Sequence, residues 1–454
     1  MRRTISLAAT TAIGLAAVVA FAPPAAAGGD GWGDHGRWSD DDPWRWHGGW
    51  HGDWHGGDHG NGETPDPVVV VNGLNNPRGL SWQGRAGGTL VIAEAGRGGD
   101  GPCLTGPEGE VCLGLTGSVS TVDRPSRVEG SAPNRVLTGF LSAAAPDGSG
   151  ATGSDAAAWT ETGEVLVPIT YGPIPPDLTV PGIEQLGNLV VGIPDSNSLI
   201  PYVSIAAAEQ ALNPDGGAID SNPYGVLYLG REGDIAKALV ADAGANAVWL
   251  VTADFGHLDD RGLPTPTFEV WSVYPPEEGV PEFVPTSLAQ DKWGNIYVGG
   301  LGALAPGYGA VVKYDQDGTE LDRWDGFTAV TGIAVDGKYL YVSQLFGPEG
   351  PGGPPGGEPP VAAPEEPPAG PPGTVVRVDT RDDTYVSQDV PFPAGLVVDR
   401  RGNVFVSAWS LSDEDGSSAS EVAPATPPGA VWRIGFPRRG DSQPLPVVAP
   451  LPTS

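Results

Sequence analysis

Polar and charged side chains recur at two kinds of position in a repeated phrase of this sequence. One position precedes a short apolar run and the other follows the next apolar run; the residues are Asn75, Arg78, Glu94, Arg97, Asn222, Tyr224, Asp242 and Asn246. Carboxylate and amide oxygens together can hold a hard cation such as calcium. The same residue types beside Pro or Gly can instead stabilise turns by bonding to the backbone. Three roles therefore stay open for this set: turn structure, a ligand or ion site, and a catalytic site.

A second group with chemical potential lies near the N-terminus, in the segment 28–66. Its histidines alternate with Trp, Gly and Asp; they are His35, His47, His51, His55 and His59. Imidazoles four residues apart can wrap copper, zinc or nickel. The segment has almost no aliphatic residue to build a core, so we expect it to be disordered. A solvated spacer, adhesion to cell-wall polymer and metal scavenging are all compatible with this composition.

The sequence offers little support for nucleophilic catalysis. It contains neither the G-x-S-x-G motif nor the H-E-x-x-H zinc motif. The one histidine outside the N-terminal segment is His257, in a loop beside Asp259 and Asp260. An isolated loop histidine is more typical of a hydrogen-bonding residue than of a general base.

The phrase that carries the candidate residues predicts the fold. It combines a turn with Pro or Gly, an apolar run, a second turn and two further β-rich runs, and it returns near residues 75, 221, 284, 330 and 393. Repeats at this interval are typical of propellers and solenoids. We predict an all-β, six-bladed β-propeller over 67–436, with three strands recognisable in each blade. The predicted blades span 75–122, 151–193, 222–251, 285–314, 328–378 and 391–434.

The two ends of the propeller sequence predict how the ring closes. After residue 434 the chain offers no good fourth strand, only a C-terminal tail over 437–454. A spare strand is present at the start, over 68–72. We therefore predict that this strand completes the sixth blade outside 430–434. Within blade five, residues 347–373 are nearly all Gly, Pro, Glu and Ala and predict a long solvated loop. An alanine-rich run over 205–212 predicts a short helix in a connection.

The first residues predict export. Arg2 and Arg3 precede an apolar run, and small residues at 25–27 form a cleavage site, so 1–27 reads as a signal peptide. No later apolar run is long enough to span a bilayer. Cys103 and Cys112 are the only cysteines, and in an oxidising compartment we expect them to form one local disulfide. We expect a secreted monomer without a transmembrane anchor.

The charge restricts the partners. The sequence has 24 Lys and Arg against 56 Asp and Glu, a net charge of −32. Nucleic acid is a poor partner because phosphate binding requires the opposite sign. An acidic surface instead favours solubility, cations or basic surfaces.

Two long motifs carry a resemblance to a known family. The run NNPRGL with VIAEAGRGGDGPC, and the run NPDGGAIDSNPYG over 213–225 with VADAGANAV, resemble the secreted ScyD/ScyE-type propeller family, related to NHL-like six-bladed propellers. The resemblance covers about 68–434 and implies the fold and export; it implies little chemistry. The His/Trp segment and the Pro/Gly insertion depart from the family pattern.

These observations favour an extracellular binding or scaffold module for a ligand, protein or cell-wall polymer that the sequence does not identify. One alternative is a calcium-dependent hydrolase or lactonase with its site at the channel mouth. Calcium-dependent lactonase propellers use the same trio of Asn, Glu and Asp, although their flanking motifs differ from those here. A second alternative is a cell-wall-associated or metal-scavenging protein acting through the N-terminal segment.

Overall fold

The computed structural model describes residues 64–445, apart from 85, 107–108, 171, 173–177, 348–372, 413–427 and 438–441. The predicted signal peptide over 1–27 lies outside the described residues. So do nearly all of the segment 28–66 with its five histidines, the body of the predicted loop 347–373 and most of the tail 437–454. Expectations about these parts stay predictions.

The described residues form six antiparallel sheets that follow one another along the chain. We number them as blades one to six and name each strand by its place, from innermost to outermost. The strands of blade one are Pro77–Gln83, Thr89–Glu94, Gly109–Asp123 and Asn134–Ala144. Those of blade two are Ala158–Trp159, Val165–Pro168, Asn188–Ile193 and Ser198–Ser204. Those of blade three are Pro223–Glu232, Ile235–Asp242, Ala247–Leu258 and Pro264–Val273. A short extra strand, Cys103–Gly106, pairs with the third strand of blade one.

Blades four to six follow the same order. The strands of blade four are Pro285–Gln290, Ile296–Gly300, Gly309–Tyr314 and Glu320–Phe327. Those of blade five are Val330–Asp336, Tyr339–Gln344, Thr374–Asp379 and Thr384–Asp389. Those of blade six are Leu396–Val398, Val404–Ala408, Gly429–Ile434 and Val68–Leu74. The two-residue strand Gln443–Pro444 adds to the outer edge of blade five. The innermost strand of each blade contacts those of its two neighbours, all the way round. The sheets therefore close into a six-bladed β-propeller, as the repeats predicted.

The closure by the two ends of the chain is also confirmed. Val68–Leu74 pairs antiparallel with Gly429–Ile434 as the outermost strand of blade six, with Val69 opposite Trp432 and Asn72 opposite Ala430. Val70, Val71 and Leu74 are fully buried, in a cluster that also contains Phe405 of blade six and Ile92 of blade one. The N-terminal strand is therefore both a sheet partner and part of the core between blades. We call it the clasp.

Packing between blades explains the glycine at the start of the repeated phrase, such as Gly225 and Gly332. A Cβ atom on Gly225 would lie 2.4 Å from the carbonyl oxygen of Thr286, and one on Gly332 would lie 2.3 Å from that of Ala394. Thr286 and Ala394 belong to the next blade in each case. Backbone of the next blade occupies the space that a side chain would need, so only glycine lets the innermost strands approach this closely.

Replacing Gly332 by Ala should therefore destabilise the ring. We expect a loss of about 1–3 kcal/mol in the free energy of unfolding, because the new methyl group forces two blades apart. Gly347→Ala is the matched control, since a Cβ there meets nothing within 4 Å; we expect a change of at most about 0.5 kcal/mol. Urea unfolding of both variants measures the difference. Equal stabilities would contradict this account of the glycine.

Each blade has four strands, and in blades one to five the sequence allowed only the inner three to be recognised. The missed outermost strands lie in segments assigned to connections, such as Asn134–Ala144, Pro264–Val273 and Glu320–Phe327. In Glu320–Phe327 only Trp324 and Phe327 are buried. An edge strand that is mostly exposed has little apolar alternation, which is the signal that a sequence offers for a strand.

The predicted connecting helix is present at Ile205–Leu212. Short 3-10 turns lie at Pro125–Arg127, Ile183–Gln185, Pro194–Ser196 and Gly302–Leu304. Within the part of the chain that the structure describes, no helix is both long and apolar enough to cross a membrane. The disulfide between Cys103 and Cys112 is formed, and it joins the extra strand to the third strand of blade one, as expected.

Candidate functional site

Each blade has one buried residue at the same place in the repeat, on its innermost strand or just before it. In the blades with the repeated glycine, this residue directly precedes the glycine. These residues are Arg78, Asp155, Tyr224, Thr286, Thr331 and Ala394, and each is at most 5% exposed. Their backbone links neighbouring blades: Gly79 N–H donates to Asp155 O, and Gly395 N–H donates to Arg78 O. We call this set the axial ring.

Arg78 and Asp155 form the charged part of the axial ring. The Nε atom of Arg78 lies 3.6 Å from Oδ1 of Asp155, and its Nη2 atom donates to the carbonyl oxygen of Ala151 at 2.5 Å. Thr170 donates a short hydrogen bond to the other carboxylate oxygen of Asp155. Burial raises the pKa of Asp155, and the Arg78 guanidinium opposes that rise. Burial likewise raises the pKa of Tyr224, to about 12.

Asp155 was not among the residues predicted from the sequence. Its position in S-D-A, ahead of the innermost strand of the irregular blade two, matches that of Arg78 in P-R-G and of Tyr224 in P-Y-G. That register was the available signal, and it was obscured because Asp155 lacks the directly preceding Pro and directly following Gly that flank Arg78 and Tyr224.

The opposite half of the same region is apolar. Tyr224 joins a buried cluster with residues that precede innermost strands or follow second strands in blades three to six; its members include Ala243, Val284, Leu301, Ala329, Leu345 and Phe346. Phe392, which precedes blade six, packs against this cluster. Residues from four blades fill this space. The predicted channel mouth is thus occupied by an apolar cluster on one side and by the Arg78–Asp155 pair on the other.

Glu94 lies at the end of the second strand of blade one and is fully buried. Its carboxylate accepts hydrogen bonds from the backbone N–H of Asn75 at 2.9 Å and from Ser120 Oγ. Arg135, on the outermost strand, reaches inward and forms an ion pair with Glu94 at 2.8 Å. These contacts support the turn-structure role for Asn75 and Glu94.

Asp242 occupies the matching position in blade three. It is fully buried and accepts hydrogen bonds from the backbone N–H of Asn222, from Ser221 Oγ at 2.7 Å and from Trp249 Nε1 at 3.3 Å. Burial raises its pKa, whereas these hydrogen bonds lower it. In blade five, Gln344 Oε1 accepts a bond from Thr328 N–H at 2.6 Å in the same way. A buried side-chain oxygen that fixes the entry to the innermost strand is therefore a repeated device of this fold.

The remaining predicted residues lie apart from these groups. Arg97 is exposed, and its backbone N–H bonds to Thr116. Asn246 is 1% exposed; its amide group donates to Asp215 and Glu282, each at 3.1 Å. His257 is exposed and contacts Asp254 at 2.7 Å. The structure thus distributes the eight predicted residues among blade one, the axial ring and blade three, and does not bring them into one site.

A cleft of about 840 Å³ lies outside the axis, between blade four and its neighbours. Its aromatic lining residues are Tyr274, Phe283, Tyr308 and Trp324, and its acidic ones are Glu277, Glu282, Asp325 and Asp383. Tyr274 stacks on Phe283 with ring centroids 4.1 Å apart, and the Tyr314 hydroxyl donates to the Tyr274 hydroxyl at 3.0 Å. We call this the blade-four cleft. The cleft could not be predicted from the sequence because its walls come from a connection, an unrecognised outer strand and the distant Leu445.

Among the residues that the structure describes, Arg323 is the only basic one that lines the blade-four cleft. Its guanidinium lies 5.7 Å from the ring centroid of Phe283 and donates to Asp325 at 2.7 Å. The cleft therefore has a net negative lining, and its aromatic wall already accepts a guanidinium from the protein itself.

The six closed sheets place this chain in the class of six-bladed β-propellers. Three solved structures illustrate the fold. Streptogramin B lyase is 11% identical over 82% of this chain and 97% of that one, with a TM-score of 0.38. Regucalcin, a calcium-binding protein from Agrobacterium tumefaciens, is 11% identical over 84% and 97%, with a TM-score of 0.41. A protein of unknown function from Dyadobacter fermentans is 12% identical over 82% and 99%, with a TM-score of 0.41.

Likeness at this level of identity concerns the fold alone. No protein-family model and no curated protein sequence matches this chain. Membership of the ScyD/ScyE-type family stays an expectation from the two sequence motifs.

Proposed function

We propose that this protein is an extracellular binding module and that its blade-four cleft binds a basic segment of a partner protein. The observation that carries the proposal is the lining of that cleft, in which four carboxylates face one arginine beside four aromatic rings. A guanidinium or ammonium group over an aromatic face is attracted by the ring, and nearby carboxylates pair with its charge.

Two further observations support a basic partner outside the cell. The net charge of −32 attracts cationic surfaces over long range. The Cys103–Cys112 disulfide suits an oxidising compartment, in keeping with the predicted signal peptide.

The wall of the blade-four cleft is also stiffened by proline. Pro275, Pro276 and Pro281 form part of the wall, and their fixed φ angles keep the cleft open at little entropic cost on binding.

Binding of an arginine-rich peptide, measured by calorimetry on the mature protein, tests the proposal. Glu277 is exposed and lines the cleft, so Glu277→Lys should weaken binding about tenfold, equivalent to about 1.4 kcal/mol. Glu232→Lys is the matched control, because it makes the same charge change on an exposed residue of blade three outside the cleft. We expect it to weaken binding less than about twofold, through long-range charge alone.

A third variant separates the aromatic contribution from charge. Tyr308→Ala removes a half-buried ring from the cleft without changing its charge, and we expect it to weaken peptide binding about fivefold, consistent with an aromatic–cation contact of about 1 kcal/mol. Equal affinities for wild type, Glu277→Lys and Tyr308→Ala would overturn the proposal and place any peptide binding on the acidic surface at large.

A further inference from the structure

The connection between blades two and three gathers carboxylates over blade three. The helix Ile205–Leu212 ends at Asn213, whose backbone N–H donates to Glu209 O at 2.8 Å. In the loop that follows, Asp215 bonds to Gly217 N–H at 2.8 Å and to the Asn246 amide at 3.1 Å. The loop then passes so close to Gly244 that a Cβ there would lie 1.6 Å from Asp220 O.

Glu209 is the unusual member of this group. Its side chain points from the helix into the interior and is fully buried, yet neither carboxylate oxygen has a hydrogen-bond partner. Burial raises its pKa to about 7, and the charges of Asp242, Asp215 and Asp220 add to that rise. The pKa of Asp220 rises to about 6, again through burial first and neighbouring carboxylates second.

Two amide oxygens in the same connection also lack partners. Asn222 is 2% exposed, and its Oδ1 atom accepts no hydrogen bond although its backbone N–H bonds to Asp242. The Oδ1 atom of Asn213 is likewise buried and unpaired, while its amide nitrogen donates to Gly217 O at 3.0 Å. A buried acceptor without a donor destabilises the folded state. Four unpaired oxygen atoms in one connection therefore point to a missing positive partner.

The described part of the chain supplies no such partner here. Among the ion pairs formed by residues that the structure describes, none involves Glu209, Asp215, Asp220 or Asp242. Nor do three His, Cys, Asp or Glu side chains in the described ranges converge closely enough to form a metal centre on their own. A hard cation would satisfy the Glu209 carboxylate and these amide oxygens together.

We infer that the connection between blades two and three binds a hard divalent cation of the calcium type, through the Glu209 carboxylate and the amide oxygens of Asn213 and Asn222. Asp215, Asp220 and Asp242 supply surrounding negative charge. An all-oxygen set suits calcium, which tolerates irregular geometry, better than magnesium, which requires a near-ideal octahedron. One direct carboxylate ligand corresponds to a dissociation constant of about 0.1–1 mM, the range of extracellular calcium modules.

Thermal unfolding of the mature protein with calcium, with magnesium and with EDTA tests the inference. We expect calcium at about ten times its dissociation constant to raise the Tm by about 2 °C over EDTA, and magnesium to raise it less. Glu209→Gln should abolish the calcium-dependent rise. In EDTA the same variant should melt no lower than wild type, since it removes a buried unpaired charge. Glu232→Gln, on an exposed residue, should keep the full calcium response.

A luminescence measurement makes the test independent of stability. Trp249 lies 3.3 Å from Asp242, so terbium bound at this site should show tryptophan-sensitised emission that calcium displaces. Trp249→Phe and Glu209→Gln should each remove that calcium-sensitive emission. Asn213→Gly keeps the positive φ of residue 213 and removes its carboxamide, both the candidate ligand oxygen and the nitrogen that donates to Gly217 O, so we expect about tenfold weaker calcium competition.

Equal melting in calcium and EDTA, or a full calcium response in Glu209→Gln, would overturn the site. Neither outcome bears on peptide binding in the blade-four cleft, which is measured separately.

Discussion

Deletion of the clasp, Val68–Leu74, is expected to unfold the protein or to lower its Tm by more than any other change considered. The deletion removes Val70, Val71 and Leu74, which are all fully buried. Each such side chain contributes about 1.5–3 kcal/mol through burial, about 4.5–9 kcal/mol together. This loss is comparable to the whole net stability of an ordinary domain, about 5–15 kcal/mol. It also leaves Gly429–Ile434 as an unpaired edge, which favours aggregation.

Point variants test the same claim when the deletion is insoluble. Val71→Ala removes buried methyl groups, and we expect it to cost about 2 kcal/mol in urea unfolding. Val69→Ala, on the 37% exposed neighbour, should cost less than about 1 kcal/mol. A clasp that merely lies on the surface would give equal and small effects at both positions.

The second large effect is expected at the ion pair inside blade one. Arg135→Ala leaves the fully buried Glu94 carboxylate with its hydrogen bonds from Asn75 and Ser120 but without its cation. Removing one partner of a buried pair costs about 3–5 kcal/mol, since a buried charge stays uncompensated. We expect that loss in the free energy of unfolding from urea titration.

A double variant distinguishes the buried charge from lost packing. Arg135→Met with Glu94→Gln removes both charges and keeps most of the side-chain volume, so it should recover much of the stability lost in Arg135→Ala. A double variant as unstable as Arg135→Ala would mean that packing around Arg135, and not its charge, stabilises blade one.

The inner strands of the ring and its closure could be predicted from the sequence, whereas most of the outermost strands could not. Inner strands repeat because each must pass the same narrow space beside the next blade, so glycines such as Gly225 and Gly332 recur at fixed positions. The clasp was predictable because blade six lacked a strand and 68–72 was spare. The outermost strands have no comparable sequence pattern, because almost any polar residue is tolerated at a position that is exposed to solvent.

The candidate site shows the same division. Glu94 and Asp242 were identified from their repeated position, but their partners could not be, because Arg135 lies on a missed outer strand and Trp249 is an apolar core residue in the sequence pattern. The blade-four cleft and the unpaired oxygens of Glu209 and Asn222 arise only when connections and blades are brought together. The repeat is encoded in local sequence and could be predicted, whereas the sites form through contacts between distant segments and could not.

The central claim is that the two ends of the propeller sequence meet in one sheet, and a cysteine cross-link measures this most directly. Val69 lies opposite Trp432 in the clasp pairing, so a Val69→Cys/Trp432→Cys variant should form a second disulfide under mild oxidation, mapped by mass spectrometry of the unreduced protein. The control pairs Val69→Cys with Lys313→Cys in blade four, and we expect no intramolecular link there. A cross-link between residues 69 and 432 no more frequent than in the control would contradict the closed ring.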